Sequence, residues 1–328
     1  MSKPKVSVII PAYNVGAYLE EALISLEQQS LRAFEAIVVN DGSTDRTVEI
    51  AEQFCQRDSR FQLITKSNGG LSSARNAGIH KAQSDYIALL DADDRYEPDK
   101  LTNHVERLDR DPSVGIVYSA SHIIRDDGQR SWMSLSGKPI AADPLVSLMY
   151  KNFVGHGSNA VFRRVLIDEV GEFDEALRSC EDIDFWLRVA ATGRWRFYRE
   201  PRPLCCYRVR PSGLSFNVAE MQRSQEQVLQ AAYQRSREQL EPYLPTGYAY
   251  MYRFLARLAL TGGDTQQAQQ LIQQAWKSDR SIFYTDPRSL LTLIAVKLSP
   301  LSKQLIRRSL DVSHNRSTPA KTIQSKSL

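Results

Sequence analysis

Three carboxylates crowd one short stretch, Asp91-Ala92-Asp93-Asp94, directly after the apolar run Tyr86 to Leu90. In extended backbone, residues i and i+2 point to the same side. Asp91 and Asp93 can therefore offer hard oxygen ligands to one Mg²⁺ or Mn²⁺ ion. A polar turn capping the helix that begins near Glu97 is the alternative. Asp41 stands in Val38-Val39-Asn40-Asp41-Gly42-Ser43-Thr44-Asp45. An Asp-Gly turn with a following Ser/Thr cap is ordinary punctuation, but a carboxylate there can also accept a hydrogen bond from a nucleobase N–H. The run Asn68-Gly69-Gly70-Leu71-Ser72-Ser73-Ala74-Arg75-Asn76 opens a helix. Two glycines allow close backbone approach, and a helix N-terminus attracts phosphate. Arg75, one turn in, can pair with a diphosphate. Glu181-Asp182 opens another helix, where the macrodipole favours acids in any case. The chemical alternative is a general base that takes a proton from an acceptor hydroxyl, with Asp184 as a competitor. The residues alone leave these three open.

The elements that must position these groups are legible from periodicity. Val6 to Ile10 is a β-branched strand closed by Pro11, and Leu19, Leu23 and Leu26 mark one face of a helix. Phe34 to Val39 and Phe61 to Thr65 are strands, with a helix carrying Val48, Ala51 and Cys55 between them. Leu71 to Ala82 is a helix, Tyr86 to Leu90 a strand, Pro98 to Asp109 a helix and Val114 to Tyr118 a strand. This alternation predicts an α/β fold, a mostly parallel sheet with helices on both faces. Ligands bind such sheets beyond the carboxyl ends of the strands, where Asp41 and Asp91 both fall. Further on, Arg125-Asp126-Asp127-Gly128 reads as a hairpin turn and Glu181 to Ala191 as a helix. Trp195 to Tyr198 and Leu204 to Tyr207 read as two short strands.

Taken together, these stretches resemble the family 2 inverting glycosyltransferases of GT-A fold. Val6-Ser7-Val8-Ile9-Ile10-Pro11-Ala12-Tyr13-Asn14 is similar to the family's opening strand. Asn40 to Asp45, Asn68 to Gly78, Leu90 to Asp94 and Glu181-Asp182 follow in the family's order, over roughly residues 5–215. The resemblance implies a GT-A-type sheet and a nucleotide-sugar donor, UDP-, GDP- or dTDP-linked. It implies that Pro11, Tyr13, Asn14 and Asp41 hold the base, with Tyr13 against the ring. Lys66, Gly70 and Arg75 would lie along the nucleotide and its phosphates. Asp91 would face the ribose or the metal, and Asp93 would bind the divalent ion, Mn²⁺ or Mg²⁺, that neutralises the leaving diphosphate. Asp182 would be the base in a single displacement with inversion, onto a hydroxyl of a glycan or a lipid-linked acceptor. Gly155-His156-Gly157-Ser158-Asn159 and Glu181 are candidates for the acceptor side, His156 and Ser158 in particular. A simple turn is the alternative.

There are two departures. Val15 stands where many members carry an acid. Tyr207-Arg208-Val209-Arg210 resembles a late segment that often reads Tyr-Arg-x-His, whose His can be a further metal ligand. Guanidinium does not ligate Mg²⁺ in the normal way, so Arg210 becomes a candidate for direct diphosphate contact.

The remaining features bound the partners. The chain has 328 residues, is 42% hydrophobic and 24% charged, and carries a net charge of +4. That mild charge does not imply nucleic acid. Cys55, Cys180, Cys205 and Cys206 lack chelating spacing and read as small core residues of a reducing, cytoplasmic compartment. The run Val6 to Pro11 is too short for a signal or membrane segment. Residues 1–215 form the expected transferase domain, 216–310 a small helical appendage, and 311–328 a Ser/Thr/Lys-rich tail read as disordered. In the appendage, Gly262-Gly263-Asp264 separates two helices that resemble half of a tetratricopeptide-type hairpin. Leu290 to Leu310 mixes leucines with Lys297, Lys303, Arg307 and Arg308. It is either a helix docked with a solvated basic face or a peripheral contact with the inner face of an anionic membrane.

Two other classes compete. A sugar-phosphate nucleotidyltransferase would need a Gly-rich basic loop after the first strand, where Pro11 to Gly16 stands instead. A nucleotide-sugar-binding or scaffold protein that had lost turnover is the non-enzyme alternative, and Arg210 is the residue that raises it. Nicotinamide and P-loop signatures are absent.

Overall fold

The computed structural model describes residues 3–135, 143–210, 213 and 217–298. Among them, nine strands form one mixed sheet in the order β3-β2-β1-β4-β8-β6-β9-β5, with β7 beside β6. The strands are β1 (Val6–Ala12), β2 (Phe34–Asn40), β3 (Phe61–Thr65), β4 (Tyr86–Leu89), β5 (Arg95–Tyr96), β6 (Val114–Ile124), β7 (Arg130–Leu135), β8 (Val161–Arg163) and β9 (Arg196–Arg208). The helices that flank the first half are α1 (Leu19–Glu27), α2 (Thr47–Arg57), α3 (Leu71–Lys81) and α4 (Lys100–Arg110). The expected α/β sheet is therefore present.

Strands β3, β2, β1 and β4 run parallel. β1 and β2 are buried along their whole length, as strands covered on both faces must be. The polar pair inside these strands is satisfied: Ser7 Oγ donates to Glu35 Oε1 at 2.6 Å, and Gln83 N donates to the same carboxylate. Helix α3 lies very close to this sheet. A Cβ on Gly78 would meet Ile9 Cγ2 at 2.5 Å and Val39 Cγ2 at 3.1 Å. The small residues of the run Leu71 to Gly78 are thus a packing device, and they seat Arg75 deep in the molecule.

The second half departs from simple alternation. β8 pairs antiparallel with both β4 and β6; it is three residues long, too short to leave a period-two signature. The two short strands expected at Trp195 to Tyr198 and Leu204 to Tyr207 are one strand, β9, irregular in register opposite Ser119 to Ser121. The turn Arg125 to Gly128 does connect β6 and β7, with Gly128 at φ +78°. Helices α5 (Pro144–Tyr150), α6 (Val165–Val170) and α7 (Glu181–Ala191) complete this half. α7 buries Phe185, Trp186 and Leu187 beside Phe162 and Phe173.

The chain divides into two compact units at Tyr248/Ala249. The change to helical pattern expected at residue 216 precedes that division, because α8 (Val218–Arg235) belongs with the sheet-containing unit. After α9 (Arg237–Leu240) and α10 (Leu244–Thr261), the second unit holds α11 (Thr265–Ser278), α12 (Ile282–Thr285) and a helix over 287–298. Asp264 caps α11 by accepting from Gln267 N. The tail 311–328, and Lys303, Arg307 and Arg308 before it, lie outside the described residues.

Candidate active site

The carboxyl ends of β1, β2 and β3 and the start of α3 form one rim. Asp41, immediately after β2, is buried, and both of its carboxylate oxygens accept hydrogen bonds. Oδ1 accepts from Lys66 Nζ and Gly69 N, both at 2.9 Å, and Oδ2 accepts from Gly70 N at 2.8 Å. Gly70 adopts φ +90°, a conformation a side chain would strain, and so aims its N–H at the carboxylate. Asn14 has φ +50° and bridges the neighbouring turns. Its Oδ1 accepts from Thr44 N at 2.8 Å, and its own N–H donates to Ser43 Oγ. Tyr13 between them stands out, 52% exposed.

Beneath the rim lies a layer of buried charge centred on Arg75, which is 1% exposed. Its Nη2 donates to Asp91 Oδ1 at 2.7 Å and its Nη1 to Glu181 Oε1. One guanidinium therefore ties the end of β4 to the start of α7, linking residues far apart in sequence. Burial alone would lower the Arg75 pKa, but Asp91, Glu181 and Asp182 outweigh it and raise it. Arg75 is a permanent cation at this site. It lies against Gly157, where a Cβ would come within 3.2 Å of its Cζ. Only glycine leaves the guanidinium that space.

Asp182 sits beside this pair but carries no ion pair among the described residues. Its Oδ2 accepts from Asn152 Nδ2 at 3.1 Å and its Oδ1 from Ile183 N at 2.8 Å. Burial, then repulsion from Glu181, push its pKa up to about 7, against the opposing pull of Arg75. A carboxyl poised there exchanges a proton near neutral pH. Asp184, the other candidate, is bound to Arg188 at 2.8 Å.

The acidic run itself divides. Asp94 is buried, accepting from Ser158 Oγ at 2.5 Å and Arg208 N at 2.8 Å. Ser158 Oγ also accepts from Asp91 N at 2.9 Å. Arg208 holds the rest of the turn through Asp93 O at 2.7 Å, Asp126 O at 2.8 Å and Glu21 at 2.9 Å. His156 Nε2 bonds Ser121 Oγ, and burial pushes its pKa down to about 3, so the ring is neutral. Asp94, His156 and Cys205 bring ligand-type atoms within 4.8 Å of one another, all of them buried. Asp93 remains nearer the surface. Burial, then Asp91, raise its pKa, while Arg210 opposes them. Arg210 Nε lies 2.7 Å from Asp93 Oδ2. Its N–H is not aligned on that oxygen, so the contact is ionic rather than a directed hydrogen bond. The Arg210 guanidinium also lies 4.9 Å from the centre of the Tyr18 ring.

The family model for "Glycosyl transferase family 2" matches residues 7–171, half of the chain and all of the rim described above. The chain belongs to glycosyl transferase family 2. A curated relative, the uncharacterised glycosyltransferase EpsJ of Bacillus subtilis (strain 168), is 35% identical over 218 residues, which cover 65% of this chain and 63% of that protein. The chain thus spans less than two thirds of that relative's length. Among solved structures, the mannosyltransferase PcManGT of Pyrobaculum calidifontis, in complex with GDP-Man and Mn²⁺, superposes with a TM-score of 0.58 at 21% identity. The match covers 92% of this chain and 88% of that one. TarS residues 1–349 of S. aureus, in complex with UDP-GlcNAc, superposes with a TM-score of 0.53 at 17% identity, covering 86% and 92%. These likenesses establish the GT-A-type fold.

The structure brings most of the sequence-named residues together and shows several of them already paired within the protein. Pro11, Tyr13, Asn14, Asp41, Lys66 and Gly70 share the rim. Arg75 is not on it: the guanidinium expected along the phosphates is buried and already paired with two carboxylates. Glu181 is likewise taken up by Arg75, Ser158 binds Asp94 and the Asp91 N–H, and His156 is held by Ser121. Glu181, Ser158 and His156 are all buried. Sequence reading missed Asn152, Gly157 and the supporting role of Arg208. Of these, only Arg208 had a signal, its place in the late Tyr-Arg segment.

Proposed function

We propose that this glycosyltransferase moves a sugar from a nucleotide-sugar donor to a hydroxyl by single displacement, with inversion. The carrying observation is Asp182, a buried carboxyl with no ion pair among the described residues and a pKa pushed up to about 7, one residue from the carboxylate that Arg75 ties to Asp91. As the acceptor oxygen bonds to the anomeric carbon, its proton passes to Asp182 and the bond to the diphosphate breaks, its electron pair leaving with the phosphate. Arg75 pairs with Glu181 and so fixes the first turn of α7, and Asn152 orients the accepting oxygen. The UDP-GlcNAc and GDP-Man complexes of the two fold neighbours support a nucleotide-sugar donor as the ligand of this rim.

Tyr13, with half its ring exposed, suits stacking on a base. Asp41 Oδ2 accepts only one N–H, from Gly70, which leaves a lone pair for a base N–H. Lys66 and Gly70 border the same position.

Asp91 and Asp93 fit a hard divalent ion, since burial and mutual repulsion leave Asp93 short of positive charge. They would hold Mn²⁺ or Mg²⁺, which supplies charge neutralisation for the departing diphosphate. Arg210 already sets one positive charge on Asp93, so in this chain it shares that task.

The test is a panel of UDP-, GDP- and dTDP-sugars with Mn²⁺, scored for binding by thermal shift and for donor turnover. Turnover that Asp182→Asn abolishes while donor binding persists is the expected result. A wild type that binds donors but neither transfers nor hydrolyses any of them would establish the binding-protein alternative instead.

A further inference from the structure

The helix over 287–298 is sorted the wrong way round for a water-soluble surface. Leu290, Leu291, Ile294 and Leu298 are 43%, 64%, 43% and 53% exposed. At 100° per residue they fall on one stripe. The opposite side is buried and carries Ser289, Thr292 and Val296. Its polar groups are satisfied locally: Ser289 Oγ donates to Asp286 Oδ2 at 2.7 Å and Thr292 Oγ1 to Arg288 O at 2.8 Å. The helix is therefore seated by its mixed face and presents its leucines outward. Scattered apolar side chains on a surface need no explanation, but a contiguous stripe does.

What borders the stripe identifies its occupant. Arg288 and Lys297, both exposed, stand at its two edges on the helical wheel. Lys277 and Arg280, at the end of α11 and just beyond it, are exposed as well. Tyr284 is exposed and packs edge-on against Trp276, and such amphipathic rings are favoured at a membrane interface. Beyond the helix the sequence continues with Lys303, Arg307 and Arg308. An apolar stripe between cations matches a lipid surface with anionic headgroups over acyl chains. The described part of this helix is twelve residues long, and among the described residues no helix is long and apolar enough to cross a membrane.

We propose that the helix over 287–298 lies in the plane of an anionic phospholipid surface, with Leu290, Leu291, Ile294 and Leu298 inserted and Arg288 and Lys297 at the headgroups. This holds whether or not the sugar-transfer proposal does, because it rests on the second compact unit alone.

The test is co-sedimentation of the full chain with phosphatidylcholine vesicles, with and without phosphatidylglycerol. We expect the protein to pellet with the anionic vesicles at low salt and to partition at least tenfold less onto pure phosphatidylcholine. The double variant Leu291→Glu, Ile294→Glu, checked for an unchanged melting temperature, should lose at least tenfold in partition, and Arg288→Gln, Lys297→Gln should lose less. Absence of wild-type binding to anionic vesicles at low salt overturns the proposal. So does vesicle binding that the Leu291/Ile294 variant retains in full, which would mark a purely electrostatic attachment elsewhere. A stripe that instead joins two copies would give a dimer in light scattering, broken by the same variant, with no vesicle binding; that too overturns it.

Discussion

The rim around Asp41 and the layer around Arg75 solve different problems with the same residue types. At the rim, a carboxylate at the end of β2 is satisfied by two backbone N–H groups and one lysine, all from the short loop between β3 and α3. In the layer below, carboxylates from β4 and α7 are satisfied by one buried guanidinium that spans the fold. Backbone donors are fixed by local chain geometry, so the rim can form before a ligand arrives. The buried layer depends on tertiary packing, and removing one member leaves charge stranded in the interior. The rim is therefore suited to gripping a ligand. The layer is suited to tuning a neighbouring acid, as the raised pKa of Asp182 indicates.

This contrast can be broken most severely at Arg75. Arg75→Met leaves Asp91 and Glu181 without their cation and should cost about 3–5 kcal/mol of stability, measured by urea unfolding. A loss below about 1 kcal/mol would mean that water or another cation already satisfies these acids. Gly157→Ala attacks the same layer sterically, because its Cβ would press on the Arg75 guanidinium. We expect about 1–3 kcal/mol of destabilisation, typical of overpacking, and a lowered Asp182 pKa if the guanidinium is pushed toward that carboxyl.

How much of this could be read from sequence differs between the two regions for the same reason. The rim is made of contiguous runs, and Asp41, Gly70, Asp91 and Asp93 stand in recognisable order there. Strand and helix alternation was legible through Tyr118 because β1, β2 and β4 are mostly apolar and buried along their whole length. The layer pairs Arg75 with Glu181, 106 positions away, and no local pattern reveals that contact. Gly157 and Asn152 matter only through what they touch. The three-residue β8 was invisible for lack of length, and β9 looked like two strands because its middle carries Glu200, Pro201, Arg202 and Pro203.

Smaller effects sharpen the comparison. Arg210→Ala removes the charge that Asp93 now holds. With metal limiting, donor turnover should fall about ten- to a hundredfold, the worth of one charged hydrogen bond from Arg210 to the leaving diphosphate, and excess Mn²⁺ should restore most of it. An equal loss at saturating Mn²⁺ would place Arg210 outside the metal's task. The smallest effect concerns stability and pH. Because burial raises the Asp182 pKa from 3.8 to about 7, the neutral form is the one the fold favours. Its contribution is present below pH 3.8 and is lost as pH rises through about 7. Asp182→Asn should therefore melt above the wild type at pH 8, with the difference shrinking as the pH falls toward 4. A variant that melts lower at pH 8 would mean that the ionised carboxylate stabilises the fold.

The most direct measurement is the pH dependence of single-turnover sugar transfer by the wild-type enzyme, with saturating donor and Mn²⁺. If Asp182 is the base, the rate should rise through a midpoint near pH 7 and then level off, because only the ionised carboxylate can take the proton. A rate that is flat from pH 5 to 9, with product still formed by Asp182→Asn at the wild-type rate, would contradict the account.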